Sequence, residues 1–158
     1  MRRLNLGCGS NLKEGYINVD WRKEVLNSNY ICLVANALNL PFKNGTIIEV
    51  FLRHVWEHFN LEETKILIRE IKRILCKRGI LRIITPNFWD IVKRFGEKED
   101  ISILASDLFG CCDLRAYKGQ MHKMIWTRKS LEKFLMSAGF EILKSSANGE
   151  VVIEAVKK

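Results

Sequence analysis

"LNLGCGSNLKEGYINVD", residues 4–20, is the stretch that decides the fold. Apolar residues 4 and 6 run into Gly7-Cys8-Gly9, and a second apolar run ends on Asp20. A strand that delivers a glycine turn, followed by a strand that ends on an acid, opens a nucleotide-binding α/β unit. Only thirteen positions separate Gly7 from Asp20. A dinucleotide unit needs a full helix in that interval and places its acid about twenty residues on. The ligand expected here therefore wants close backbone approach and an acid, and can do without the helix that cradles a pyrophosphate.

Working outward, strands and helices alternate. Residues 3–6, 16–20, 31–35 and 47–53 read as strands, the last apolar enough to be buried on both faces. Asn60 and Glu63 have capping-box spacing, and Leu67, Ile71, Ile74 and Leu75 form an apolar stripe, so a helix follows, with Gly79 as its stop. Residues 80–85 are a fifth strand, broken by Pro86. Asn87 caps a short helix through Phe95, and a second runs 101–109. Residues 110–126 show no period. Thr127 caps a helix through Ser137 that Gly139 stops, and strands 140–145 and 150–157 turn through Asn148-Gly149. A turn that tight makes the final pair antiparallel.

The alternation predicts an α/β fold, a Rossmann-like three-layer sandwich with a mostly parallel sheet and an antiparallel C-terminal strand. One domain, 1–158, is expected, with 87–126 as a substrate-side insertion or lid. Ligands of such sheets bind at the C-terminal strand ends, which gathers residues 7–10, 20–21, 36–38 and 53–56 around one crevice.

Composition narrows the class. Hydrophobic residues make up 47% of 158, enough for one packed core and too many for disorder. No apolar run approaches the ~18 residues of a membrane span, and the charged N-terminus leads into no signal-peptide core, so a cytoplasmic protein is expected. Cysteines 8, 32, 76, 111 and 112 contain no CxxC pair, which argues against a disulfide framework or a cysteine zinc site. Adjacent Cys111 and Cys112 read as core filler. The net charge of +8 favours anionic partners, yet its densest patch, Lys72-Arg73 with Lys77-Arg78 and Arg82, sits where a helix dipole alone favours bases.

Five segments in register resemble class I S-adenosylmethionine-dependent methyltransferases, and in particular short methyltransferase-like proteins that begin LNLGCG and continue GYINVD. They are LNLGCG itself, NALNLPF (36–42), TIIEVFLRHVWEHF (46–59), IKRILCKRGILRIITPN (71–87) and HKMIWTRKSLEKFLMSAGFEIL (122–143). The resemblance implies S-adenosyl-L-methionine as cofactor, held by Asn5, Gly7, Cys8, Gly9, Asp20, Trp21, Asn36, Ala37 and Arg53. That ligand has no pyrophosphate, which accounts for the missing helix. Asp20 would accept the ribose hydroxyls and Asn36 the adenine amino group. Asn5 and Asn36 stand where the wider family has acids, Ile48 where it has an aspartate, and Lys77-Arg78 where Pro-Gly is usual. Trp21 either packs on adenine or shields the surface.

His54 ends the fourth strand beside the position of the transferred methyl, either as general base or as packing under the loop. His58 completes an H-x-x-x-H spacing, but the chain is not helical there and no third ligand is evident, so no metal is expected. Glu57 and His58 are expected to fix the loop, while His122, Trp89 and Asp90 belong to the acceptor wall. The function that follows is methyl transfer to a small-molecule or sugar-like acceptor. Two alternatives stand beside it: a non-catalytic S-adenosylmethionine-binding subunit, and a nucleic-acid methyltransferase, which the charge favours although no N-P-P-Y-like tetrapeptide follows the fourth strand.

Overall fold

The computed structural model describes residues 2–25, 29–98, 101–110 and 121–158, so the Cys111–Cys112 pair lies outside the described residues. One sheet holds β1 (Arg2–Leu6), β2 (Ile17–Asp20), β3 (Cys32–Val34), β4 (Ile47–Arg53), β5 (Leu75–Pro86), β6 (Phe140–Ser146) and β7 (Glu150–Lys157). Their order is β3-β2-β1-β4-β5-β7-β6. The first five pair in parallel, and β7 runs antiparallel to both β5 and β6. This is the expected α/β architecture. The direction of strand succession reverses between β1 and β4, so the crevice must open above those two strands.

Four helices accompany the sheet: α1 (Leu61–Ile74), α2 (Phe88–Lys98), α3 (Ile101–Phe109) and α4 (Arg128–Ser137). Asn60 and Thr127 each close a complete capping box, with Glu63 and Ser130. Strand alternation then sorts the side chains. Leu4, Leu6, Val50, Leu52, Leu81, Ile83, Val151, Ile153 and Ala155 lie on one face and are essentially inaccessible, in one cluster with Leu67, Ile71, Leu131 and Leu135 of α1 and α4. Each such Leu, Ile or Val side chain stabilises by about 1.5–3 kcal/mol.

The other face is different in kind. Between β1 and β2 there are only turns, and after β2 only a short 3-10 turn, Lys23–Val25, among the described residues. Here Glu49 of β4 faces Arg3 at 3.6 Å and Arg82 at 3.7 Å, Arg82 meets Glu154 at 3.1 Å, and the Tyr16 hydroxyl donates to Glu49 at 2.7 Å. So β4 buries one face fully, and its second face is held by a ladder of charges rather than by the apolar cover expected of it.

Gly79 does not stop α1. The helix ends at Ile74 because Leu75 enters the core with an extended backbone. β5 begins there, with a bulge that pairs Leu75 with Ile47 and Ile80 with Glu49. Arg78 supplies the left-handed turn of that bulge, at φ 63°. Likewise Gly96 lies inside α2, which continues past Phe95 to Lys98.

Candidate active site

The glycine loop is forced by what lies above it. Leu6 ends β1 inside the core and the chain must pass under Val55. Gly7 does so at φ 67°, where an added Cβ would stand 2.5 Å from Val55 Cγ2. The N–H groups of Gly7 and Cys8 both donate to the Val19 carbonyl, at 2.7 and 3.1 Å. Gly9 N–H donates to Asp20 Oδ2 at 2.9 Å. Burial, and then the Asp20 carboxylate, push the Cys8 thiol up to about 11.

Asp20 is 4% exposed. Its Oδ1 accepts from the Arg22 backbone N–H at 2.9 Å and from Arg22 Nε at 3.2 Å. A carboxylate offers about four acceptor positions, three of them filled here by Gly9 N–H, Arg22 N–H and Arg22 Nε. Arg22 was not legible as part of the site. Asn5 sits beneath the loop and is absent from the crevice wall: its Nδ2 donates to Asn11 O and Asn18 Oδ1, both at 2.8 Å. It braces the turn from behind. Asn36 is exposed at the rim and closes an Asx turn, its Oδ1 accepting from Leu38 N–H at 2.9 Å.

The loop that carries Asn36 and Ala37 is clamped to α1. Arg73 donates to the carbonyls of Phe42 (2.7 Å) and Leu40 (3.0 Å), while Glu70 accepts from Arg73 and from Leu40 N–H at 2.7 Å. The bidentate Arg73 contact holds the Glu70 carboxyl below its usual range. Much of the basic patch is spent in this way: Lys72 donates to Ala138 O, Arg78 faces Glu141 and Arg82 joins the charge ladder. Besides Arg73, three of the five basic residues of the densest patch are thus engaged within the fold.

Together these elements enclose a cavity of about 750 Å³, lined by Gly7, Cys8, Gly9, Asp20, Trp21, Asn36, Ala37, Arg53 and His54 among others. Trp21 stands at its mouth, 59% exposed. The volume suits a nucleoside-sized ligand. The lining suits a ligand that joins a diol to a flat base: a buried carboxylate, a glycine turn that permits close approach and an aromatic face.

A second cavity of about 380 Å³ adjoins it, with His54 common to both and with Asp90, Arg94, Asp107, His122 and Glu150 in its walls. Arg94 bridges Asp90 at 3.0 Å and Asp107 at 2.8 Å. Trp89 lines neither cavity; it is 64% exposed and packs edge-on against Phe88. His54 adopts φ 52° as its N–H makes the last ladder bond, to Ile84 O. Its Nδ1 lies 3.2 Å from Glu57 Oε1 and its Nε2 2.7 Å from Glu150 Oε1. The Glu57 contact raises its pKa, opposed by burial. Set between two carboxylates, this imidazole holds a proton more readily than the free base that the sequence suggested.

The profile of a family described as "Methyltransferase domain" matches residues 4–83. That covers half of the chain. The chain belongs to this methyltransferase family.

Solved structures agree with the fold. A S-adenosylmethionine-dependent methyltransferase from Methanosarcina mazei is 19% identical, with a TM-score of 0.73 over 99% of this chain and 92% of its own. One from Archaeoglobus fulgidus is 16% identical (TM-score 0.68; 99% and 86% covered). The 1,6-didemethyltoxoflavin-N1-methyltransferase of Burkholderia thailandensis, solved with 1,6-didemethyltoxoflavin and S-adenosylhomocysteine, is 14% identical (TM-score 0.68; 99% and 70% covered). Among curated proteins none matches. No described helix of this methyltransferase is long and apolar enough to cross a membrane.

Around the smaller cavity Glu150 escaped sequence reasoning, while Glu57 was expected to fix the loop and His122 to face this side. Glu150 arrives through antiparallel register, opposite Pro86. Glu57, 1% exposed, accepts from the Thr85 hydroxyl at 3.0 Å. His122 is carried next to Glu57 because the N–H groups of Lys123 and Met124 donate to the Glu57 carbonyl, at 2.8 and 3.2 Å. Burial lowers the His122 pKa, which keeps this imidazole neutral near pH 7. The chain at 54–58 is indeed not α-helical, since Trp56–His58 form a 3-10 turn.

Proposed function

We propose that the protein transfers a methyl group from S-adenosyl-L-methionine, bound in the larger cavity, to a hydroxyl or amine of a small polar molecule seated in the smaller one. The observation that carries the reading is the pair of adjoining cavities with one shared side chain, His54. The cofactor supplies a methyl on a sulfonium, a leaving group that asks chiefly for alignment. Gly7 and Gly9 let the backbone approach it, Asp20 accepts ribose hydroxyls once Arg22 swings out, and Trp21 with Asn36 and Ala37 borders the base. Cys8 and Arg53 complete the wall.

The acceptor side is walled by polar side chains, with Asp90, Arg94, Asp107 and His122 supplied by the segment 87–126 expected on the substrate side. His54, fixed by Glu57 and Glu150, orients the acceptor's hydroxyl or amine, and the proton released passes to the His54–Glu150 pair, whose carboxylate is open to solvent. Holding the two reactants in line is worth about 7–11 kcal/mol of the barrier. A small acceptor is favoured because the chamber is about 380 Å³ and most of the densest basic patch is engaged internally.

Calorimetry with S-adenosylhomocysteine and with NAD tests the cofactor. Binding of the first and not the second is expected, with Asp20→Ala losing more affinity than Asn36→Ala, since charge-assisted bonds are roughly twice as strong. Release of S-adenosylhomocysteine over a panel of polyols, phenols and amines tests transfer, and His54→Ala should slow it without changing cofactor affinity. NAD binding in place of S-adenosylhomocysteine would refute the proposal.

A further inference from the structure

Glu57, His58 and His122 each place one ligand atom within 4.8 Å of the others. This trio keeps His58 of the H-x-x-x-H spacing, has Glu57 in place of His54 and adds His122. It is not an accident of loose side chains. The Glu57 carbonyl binds two successive N–H groups of the 121–124 segment, and His122 N–H donates to Phe109 O at 3.0 Å. Lys123 Nζ adds an ion pair to Glu63 at 2.9 Å. The two segments are therefore locked together by backbone on either side of the cluster.

The ring orientations are set as well. His58 Nδ1 lies 3.2 Å from the Met121 carbonyl, and His122 Nδ1 lies 3.0 Å from the Asp107 carbonyl. A carbonyl only accepts, so both Nδ1 atoms carry the proton and both Nε2 lone pairs are left for another partner. Glu57 has Oε2 fixed by the Thr85 hydroxyl and Oε1 3.2 Å from His54 Nδ1, so Oε1 is the oxygen that an ion would share with His54. Outer partners of this kind, a carbonyl behind each imidazole and a hydroxyl behind the carboxylate, are what hold metal ligands in place. The imidazole rings converge, with centroids 5.2 Å apart and a 58° tilt.

We infer that Glu57, His58 and His122 bind one first-row divalent transition ion, with open coordination positions facing the acceptor. Two imidazoles and a carboxylate suit Zn²⁺, Co²⁺ or Mn²⁺ better than Mg²⁺ or Ca²⁺, which prefer all-oxygen sites. An ion with bonds of about 2.1 Å draws its donors to separations near 3.4 Å, a contraction that rotation of the half-buried His58 and His122 side chains supplies. His58 lines the larger cavity and His122 the smaller, so the ion stands at their junction. There it takes an oxygen donor, which narrows the acceptor to a hydroxyl. That narrowing rests on the methyl-transfer reading; the ion site does not. In the step so assisted, the O–H bond breaks with its proton passing to the His54–Glu150 pair, the oxygen–carbon bond forms, and the carbon–sulfur pair stays on sulfur.

The test is titration of the full chain, stripped with chelator, by Co²⁺ followed through visible absorption and by Zn²⁺ through calorimetry. One ion per chain is expected, with Zn²⁺ tighter than Co²⁺ and Co²⁺ tighter than Mn²⁺. His58→Ala and His122→Ala should each weaken binding by more than about 10-fold, the lower end of what even outer-partner changes cost. Glu57→Gln should do the same if it folds; the two histidine variants decide the matter if it does not. S-adenosylhomocysteine calorimetry runs alongside. Cofactor binding with no ion taken up at millimolar Zn²⁺ or Co²⁺, or a His58→Ala/His122→Ala protein that binds the ion like the parent, overturns the ion site and leaves methyl transfer standing. Ion uptake without cofactor binding does the reverse.

Discussion

Gly7→Ala probes a point at which the glycine loop meets the chain that follows β4. The new methyl would lie 2.5 Å from Val55 Cγ2 and 2.8 Å from Cγ1, on a backbone held at φ 67°. The left-handed conformation costs a non-glycine residue about 1–2 kcal/mol. Forcing a methyl into a packed site costs about 1–3 kcal/mol more, so a loss of about 2–5 kcal/mol is expected. Val55 is 7% exposed, and Val55→Ala alone should cost about 1–3 kcal/mol through lost burial. The double variant removes both clashing carbons and leaves only the backbone penalty and a partly refilled space. It should therefore be more stable than Gly7→Ala, with a coupling of about 1–3 kcal/mol in the cycle. Urea unfolding of the four proteins measures this, and S-adenosylhomocysteine calorimetry shows whether binding follows the loop. A Gly7→Ala protein within about 0.5 kcal/mol of the parent, or a cycle that adds without coupling, would refute the close-approach argument.

Three further outcomes are expected. Arg78→Gly should raise the melting temperature, since relief of the left-handed strain (about 1–2 kcal/mol) exceeds the flexibility added to the unfolded chain (about 0.4–1 kcal/mol) and the exposed Glu141 pair is worth little; Arg78→Ala should give no gain, and a glycine variant less stable than the alanine variant would contradict the assignment. Glu70 has a folded pKa below its ordinary value, so it contributes stability above about pH 4.3 that is lost as the pH falls through its folded pKa; acid unfolding of Glu70→Gln should show a shallower limb there, and an unchanged limb would show the Arg73 clamp to be inert. Cys8, with its thiol raised to about 11, should react with iodoacetamide at pH 8 far more slowly than an ordinary cysteine, and Asp20→Asn should speed it by removing a charge that opposes the thiolate; peptide mapping that finds Cys8 labelled as fast as free cysteine would remove the burial argument.

How much of this was legible divides along one line. The cofactor side is written in short-range sequence. A strand, a glycine turn and an acid thirteen positions later belong to neighbouring strands, and β1 and β2 pair with Leu4 opposite Ile17 and Leu6 opposite Val19. The capping boxes at Asn60 and Thr127 are equally local, and α3 and β7 keep their expected limits. Errors fell where local signals compete with packing. Gly79 reads as a helix stop, yet Leu75 has a place in the core that outweighs continuing the helix, and Arg78 takes the turn that glycine would have filled. Asn5 and Asn36 were ligand contacts by resemblance; Asn36 lines the crevice while closing its own Asx turn, and Asn5 bonds Asn11 and Asn18 from beneath the loop.

The acceptor side is written in long-range register, which is why so little of it could be read. His54 was visible as the end of β4, but what it does is decided by Glu57, three residues on, and by Glu150, delivered from β7 by antiparallel pairing. His58 clusters with Glu57 and His122 rather than with His54, and His122 is distant in the sequence. Two hydrogen bonds from residues 123 and 124 to one carbonyl remove that distance. Neither bond leaves a trace in composition or periodicity, because backbone donors are the same at every residue. The chemistry expected of the His54 region changes accordingly, from a free base acting alone to a proton-holding imidazole beside a Glu-His-His cluster. Substitutions that loosen the 121–124 segment without touching an imidazole, such as Lys123→Ala with Glu63 left in place, should then weaken ion uptake while S-adenosylhomocysteine binds as before, because the cluster depends on that segment and the glycine loop does not.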